Sequence, residues 1–109
     1  MMRKHKIIAL ALALVLVLSV TGIALATYVY ESRYGHNTLK RGHEGTYVFN
    51  LQVDVNEAGH SSCGTADGIF GSQTEIGVRG YQSYHGLSVD GQAGYNTKTT
   101  LWYEEGQFN

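Results

Sequence analysis

The sequence predicts an all-α fold, a small three-helix bundle with two D-G-x-x-G-x-x-T turn repeats. Apolar residues recur at helical spacing in two segments after residue 44. The chain has no proline and little strand-like alternation, and the turn pattern begins at Asp67 and again at Asp90. At 109 residues, the chain has the length of one small domain.

The first 26 residues are typical of an export signal. A basic start, MRKHK, precedes the apolar run IIALALALVLVLSV over 7–20 and the small residues ALA over 24–26. This three-part pattern predicts a secretory signal peptide over 1–26. The alternative is an uncleaved signal anchor, because 7–26 is just long enough to cross a bilayer. Basic residues lie only before the apolar run, so both alternatives place the rest of the chain outside the cytoplasmic membrane, secreted or at the cell wall.

The chain after the leader is mildly acidic. Cleavage after Ala26 leaves five basic and nine acidic side chains. Affinity for nucleic acid comes largely from basic residues on phosphates, so no nucleic-acid partner is expected. Cys63 is the only cysteine, which excludes an internal disulfide. Its thiol is expected to be buried, with an intermolecular bond as the alternative.

Residues 27–37, TYVYESRYGHN, have neither a helical nor a strand period. They are predicted to be a spacer, followed by the domain over 38–103. The first helix is predicted over 45–58, where four apolar residues form one stripe. Those residues are Val48, Leu51, Val55 and Ala58. Gly59 suits the left-handed position that ends a helix.

Phe49 and Val53 lie on the flank of that stripe and share one face of the helix. They predict a second apolar patch, covered either by the tyrosine-rich residues 28–34 or by another protein chain. Two isolated exposed side chains are the alternative, because single exposed apolar residues are ordinary.

Each D-G turn has a structural explanation. The aspartate can accept a backbone N–H from two residues further on, and the glycine adopts positive φ without strain. In the first turn Phe70 is expected to fix the turn to the core, whereas the second turn has Ala93 at that position. Asp67 and Asp90 are therefore interpreted as turn residues rather than as a catalytic carboxylate pair.

The second helix follows the first turn. Ser72 and Glu75 have the spacing of a capping box. A helical stripe of Thr74, Val78, Tyr81 and His85 follows, and Gly86 ends it.

Two glycines interrupt the second helix, and the rest of the chain is short. Gly77 and Gly80 each cost about 1 kcal/mol relative to alanine, which indicates close packing of another helix there. The third helix is predicted over 96–104, with Leu101 and Trp102. Residues 104–109 are the tail after the domain, and its last four residues, GQFN, are expected to fray.

These motifs form one ordered pattern over about 38–103. Its residues are Leu39, Gly42, Gly45, Val48, Leu51, Gln52, Asp67, Gly68, Phe70, Gly71, Thr74, Val78, Tyr81, Gln82, Gly86, Leu87, Asp90, Gly91, Gly94, Thr97, Leu101 and Trp102. The pattern resembles the three-helix peptidoglycan-binding domain found on bacterial cell-wall hydrolases. The resemblance implies a non-catalytic domain that binds peptidoglycan, with a separate cell-wall hydrolase as a further partner. The sequence departs from the family pattern at Ala93, Gly77, Gly80, Phe49 and Val53.

The resemblance implies a ligand cleft by the first turn, around Asp67, Phe70 and Gly71 and facing the second helix. Tyr84 and Tyr95 fall off the helical stripes, so they are candidate aromatic contacts with sugar or peptide. The candidate ligand-binding residues are Asp67, Gly68, Phe70, Gly71, Tyr84 and Tyr95. Tyr81 and Trp102 are expected to pack in the core.

No catalytic residue, metal site or cofactor is expected. The four histidines after the leader have no H-x-x-x-H or H-E-x-x-H spacing, and Cys63 completes no ligand set. These histidines are His36, His43, His60 and His85. The predicted function is an exported, non-catalytic module that binds peptidoglycan. The alternative is a membrane-tethered regulatory domain that meets a protein partner through the same fold and touches the membrane only through an uncleaved leader.

Overall fold

The structure, a computed structural model, describes residues 30–109, so the predicted leader over 1–26 lies outside the described residues. The chain forms α1 (Thr46–Ala58), α2 (Ser72–Tyr84), α3 (Tyr95–Glu104) and a 3-10 helix (Gly106–Phe108). Residues 30–34 are also helical. β pairing in this part of the chain is limited to two isolated bridges, Leu39 with Ala93 and Glu44 with Ile69. The predicted all-α bundle is confirmed.

Across residues 30–109, no helix combines the length and the apolar composition that a membrane crossing needs.

The observed helices follow the predicted stripes. α1 begins one residue after its predicted start and ends at Ala58, with Gly59 in the left-handed conformation at φ 79°. α3 begins one residue before its predicted start. The apolar stripes of the three helices face one core, which Phe70 and Cys63 complete from the loop before α2. Burial raises the pKa of the Cys63 thiol to about 12, so the expectation of a buried thiol is confirmed.

The predicted capping box is wrong. Gly71, in an extended conformation, is the N-cap of α2, and no side chain caps this helix. Ser72 therefore lies one position inside the helix, while the N–H of Glu75 donates to the carbonyl of Gly71 at 3.0 Å. The turn itself sets the helix start, because Gly94 occupies the same position before α3.

The segment before the first bridge is part of the fold, so the expected structureless spacer is wrong for residues 30–37. Tyr30 and Tyr34 are buried in the core. Arg33 donates to both carboxylate oxygens of the wholly buried Asp54, at 2.6 and 2.7 Å, and the hydroxyl of Tyr34 donates to the same carboxylate. Two aromatic residues and one buried ion pair thus fix this short helical segment to α1.

A buried lysine fixes the next residues of the same segment. The ammonium group of Lys98, on α3, donates to the backbone carbonyls of Gly35, at 2.9 Å, and Asn37. Burial lowers the pKa of Lys98. Residues 35–37 are therefore held between α1 and α3.

The tail is also ordered, so the expectation that it frays is wrong. Gly106–Phe108 forms the 3-10 helix, and Gly106 is buried. The side-chain amide of Asn109 donates to Asp54 at 2.7 Å. The side-chain amide of Gln107 also donates to the carbonyl of Tyr103 at 2.7 Å. These contacts hold the tail, and no periodic pattern in the sequence reveals them.

The two glycines in α2 make room for a loop rather than for a helix. A Cβ on Gly77 would lie 2.6 Å from the carbonyl oxygen of Ser62 and from the sulfur of Cys63. A Cβ on Gly80 would lie 2.7 Å from the Cβ of Ser61. The loop over 61–63 therefore packs directly against the α2 backbone.

Candidate functional site

Gln52, a buried residue of α1, organises the first turn. Its amide nitrogen lies within hydrogen-bond distance of the Asp67 carboxylate (3.1 Å), the Ile69 carbonyl (3.0 Å) and the Thr74 hydroxyl (3.0 Å). Its amide oxygen accepts the N–H groups of Asp67 (3.0 Å) and Gly68 (2.8 Å). One glutamine side chain therefore satisfies both donors and acceptors of a turn that has no regular secondary structure.

Gln82, on α2, makes the same set of contacts with the second turn. Its amide nitrogen lies 2.9 Å from the Asp90 carboxylate, 2.8 Å from the Gln92 carbonyl and 3.0 Å from the Thr97 hydroxyl. Its amide oxygen accepts the N–H groups of Asp90 (3.1 Å) and Gly91 (3.0 Å). Each helix thus supplies the glutamine for the turn that follows it.

Both aspartates are used within their own turns. The N–H of Ile69 donates to Asp67 at 2.9 Å, and the N–H of Gln92 donates to Asp90 at 2.9 Å. These backbone hydrogen bonds lower the pKa of both carboxyls. Gly68 and Gly91 have φ of 80° and 76°, the left-handed region that glycine adopts most readily.

A cleft of about 540 Å³ lies between the start of α1 and the first turn. Two apolar side chains, Phe49 and Ile69, line it and are 44% and 54% exposed. Backbone hydrogen bonds join its two sides, because Gly45 donates to the carbonyl of Gly68 at 2.8 Å. The complete lining is Glu44, Gly45, Thr46, Phe49, Asp67, Gly68 and Ile69. The cleft combines two apolar surfaces with two carboxylates.

The six candidate ligand residues do not form one site. Asp67 and Gly68 line the cleft, whereas Phe70 is 1% exposed and supports the turn from the core. Gly71 lies with Asp67 in a smaller depression of about 290 Å³ at the start of α2, the side on which the cleft was expected.

Tyr84 and Tyr95 lie elsewhere on the surface. Tyr84 stacks on His60, with ring centroids 3.6 Å apart, and Tyr95 meets Tyr30 edge-on at 5.6 Å. Tyr95 also lines a depression beside the second turn.

The apolar patch predicted from Phe49 and Val53 has a different environment from the one expected. The described part of the tyrosine-rich segment, 30–34, folds back onto α1 but contacts Asn50 and Asp54. Those positions lie one helical step away from the patch, so this segment leaves Phe49 exposed, at 44%. Phe49 instead forms one wall of the cleft.

Two features of the sequence point to this cleft, although neither indicates it alone. Ile69 and Phe70 are adjacent and lie in extended backbone, so one side chain points inward when the other points outward. Phe49 lies beside the buried stripe of α1. Only the packing of the first turn against α1 brings the two exposed side chains together.

The sequence matches a known family and several characterised proteins. Residues 44–101, slightly more than half of the chain, match the family described as "Putative peptidoglycan binding domain". The chain is 37% identical over 68 residues to the spore cortex-lytic enzyme of Bacillus cereus and 37% identical over 71 residues to that of Bacillus subtilis. These matches cover 62% and 64% of this chain but 26% and 23% of the relatives, so the chain spans about a quarter of their length.

A solved structure agrees with these matches. The crystal structure of the SleB N-terminal domain superposes with a TM-score of 0.59 at 37% identity, and the match covers 62% of this chain and 92% of that domain. The matched family segment contains both turns and both glutamines that hold them. The chain therefore belongs to the peptidoglycan-binding domain family.

Proposed function

We propose that this chain is an exported, non-catalytic module that binds peptidoglycan through the cleft at its first turn. The observation that carries the proposal is the family match over 44–101, which contains every residue that lines this cleft. The cortex-lytic relatives are about four times longer than the matched segment. These relatives are named for a lytic activity, but this chain matches only about a quarter of their length. A match of that extent, within the binding-domain family, supports a binding role for this chain.

The chemistry of the cleft fits a glycan. Phe49 and Ile69 offer apolar surface to the C–H face of a sugar ring, and the carboxylates of Glu44 and Asp67 can accept hydrogen bonds from its hydroxyl or amide groups. Among the described residues that line the cleft there is no Lys, Arg or His, so it is poorly suited to a free carboxylate. Gly68 has no side chain, which lets the floor of the cleft pack closely, because a Cβ there would lie 3.2 Å from the carbonyl oxygen of Gly45.

The way in which the polar residues are used supports a non-catalytic role. Asp67 and Asp90 are held by backbone donors of separate turns, and both have lowered pKa values. A general acid needs a raised pKa near the working pH. Export rests on the three-part leader over 1–26. The second candidate, a membrane-tethered regulatory domain, rests on the length of the same apolar run.

A sedimentation assay with purified murein sacculi tests the proposal. We expect the chain from residue 27 onward to pellet with sacculi and to release no soluble muropeptides. The double variant Phe49→Ala/Ile69→Ser should stay in the supernatant with an unchanged melting temperature, because both side chains are exposed. Ile76→Ser is the matched control, since Ile76 is 58% exposed and lies outside the cleft. Parental protein that stays in solution would refute binding, and released muropeptides would refute the non-catalytic role.

A further inference from the structure

Three polar side chains meet where the three helices end. His60 lies two residues after α1, His85 is the first residue after α2, and Glu104 is the last residue of α3. The donor atoms of all three lie within 4.8 Å of one another. Helix C-terminal ends carry partial negative charge, so this position favours a cation.

The three side chains already point at a common centre. His60 Nε2 lies 2.7 Å from one carboxylate oxygen of Glu104, and His85 Nε2 lies 3.0 Å from the other. The side chains are 18%, 23% and 25% exposed for His60, His85 and Glu104. A solvated ion can therefore reach the cluster, and yet most of each side chain is fixed by packing.

Aromatic residues of α2 hold the cluster in position. Tyr84 stacks on the His60 ring with an interplanar angle of 8°, and Tyr81 packs against the His85 ring at 4.5 Å. The hydroxyl of Tyr81 donates to Glu104 at 2.8 Å. Outer contacts of this kind orient metal ligands and are a regular part of metal sites in proteins.

We propose that His60, His85 and Glu104 form a binding site for a divalent transition-metal ion, with Zn²⁺ as the preferred ion. Two imidazole nitrogens and one carboxylate oxygen are a donor set that Zn²⁺ accepts. Ligands of a tetrahedral zinc ion lie roughly 3.3 Å apart. The two Nε2 atoms now lie 2.7 and 3.0 Å from different oxygens of Glu104, so the ion needs the two rings to move outward by a few tenths of an ångström and one of the two oxygens to turn toward both rings.

The site has three protein ligands and an open position. Such an arrangement leaves a fourth place for water or for a ligand group. The ion would join the ends of α1, α2 and α3, so its binding adds a cross-link between three segments that are distant in sequence. It requires no change in the cleft at the first turn, whose lining contains none of these residues.

Metal titration of the full chain tests the site directly. The chain, purified in detergent and stripped with a chelator, is titrated with ZnCl₂ in a calorimeter. We expect one ion per chain and a melting temperature that rises with free Zn²⁺, because an ion that binds the folded state stabilises it. His60→Gln, His85→Gln and Glu104→Gln should each weaken binding by at least about tenfold. His36→Gln is the matched control, since this exposed histidine lies outside the cluster.

A second measurement decides the question even if the ligand variants do not fold. The zinc X-ray absorption spectrum of the unmodified, Zn²⁺-loaded chain should show two imidazole ligands and no sulfur. Sulfur scattering would place the ion at Cys63, and any other imidazole count would also overturn the assignment. Absence of saturable binding, or affinity unchanged in all three ligand variants, would mean that the cluster is only a set of hydrogen bonds.

Discussion

Replacement of Gln52 by leucine tests whether one side chain holds the first turn. Gln52 is 1% exposed, and leucine has a similar volume, so the change removes hydrogen bonds and leaves little cavity. The N–H of Gly68 and the carbonyl of Ile69 lose their Gln52 partner inside the protein. Each buried polar group without a partner costs about 1–3 kcal/mol.

The expected loss for Gln52→Leu is about 2–4 kcal/mol. It stays below the full sum for two groups because the Ile69 carbonyl keeps two donors, the Thr74 hydroxyl at 3.2 Å and the Gly71 N–H at 3.1 Å. The N–H of Asp67 adds little, since this residue is exposed and water can replace its partner. A loss of this size is most of the stability that a domain of this length has, about 3–5 kcal/mol.

Urea unfolding followed by circular dichroism measures the effect. Gln82→Leu should lose a similar amount, because Gln82 is equally buried and makes the same contacts with the second turn. Gln92→Leu is the matched control: its side chain is exposed, so its free energy of unfolding should stay within about 0.5 kcal/mol of the parent. If Gln52→Leu loses less than about 1 kcal/mol, the aspartate bonds alone hold the turn, and the role given to the glutamine is wrong.

Three further predictions concern stability. Phe70→Ala should cost about 3–5 kcal/mol, because Phe70 is 1% exposed in the core, and a melting temperature within a few degrees of the parent would contradict its burial. Gly77→Ala should cost about 1–3 kcal/mol, because the new methyl group overpacks against the loop over 61–63. This cost exceeds the roughly 1 kcal/mol gained in helix propensity. A variant that is more stable than the parent in urea would show that the loop can move aside. Backbone hydrogen bonds lower the pKa of Asp67 and Asp90 in the folded state. The contribution of these carboxylates to the free energy of unfolding is therefore complete above the ordinary carboxyl pKa of 3.8, and it is lost as the pH falls through the lower pKa values of the folded state. Asp67→Asn should therefore flatten the acid side of the urea-midpoint curve between about pH 5 and 2, and a curve that keeps its slope would refute this.

Local patterns account for the parts of the fold that could be predicted. α1 and α3 were placed to within one residue because their buried stripes are apolar and periodic. Residues 30–34 were not predicted to be helical, since the segment is short and its partner on α1 is the acidic residue Asp54. An isolated acidic residue in a helix is normally read as exposed, and burial becomes plausible only once Arg33 and Tyr34 are known to reach it.

The candidate site could also be predicted from the sequence only in part. Asp67 and Gly68 line the cleft, and both are candidates because the resemblance implies a ligand cleft at the first turn. Ile69 was missed, since its exposure depends on how the turn packs on α1. His60 and His85 lack the spacing of a known metal motif, and each of them, like Glu104, follows or ends a different helix. No sequence motif records that the helix ends converge.

The buried carboxylate of Asp54 joins two segments of the chain that are distant in sequence. It accepts hydrogen bonds from Arg33 and Tyr34, which precede the three helices, and from Asn109, which follows them, so both segments depend on one side chain. Loss of this one carboxylate would leave Arg33 without its counter-charge inside the protein and would loosen both segments at once. The helical segment before α1 and the residues after α3 are therefore coupled through one acidic residue rather than stabilised independently.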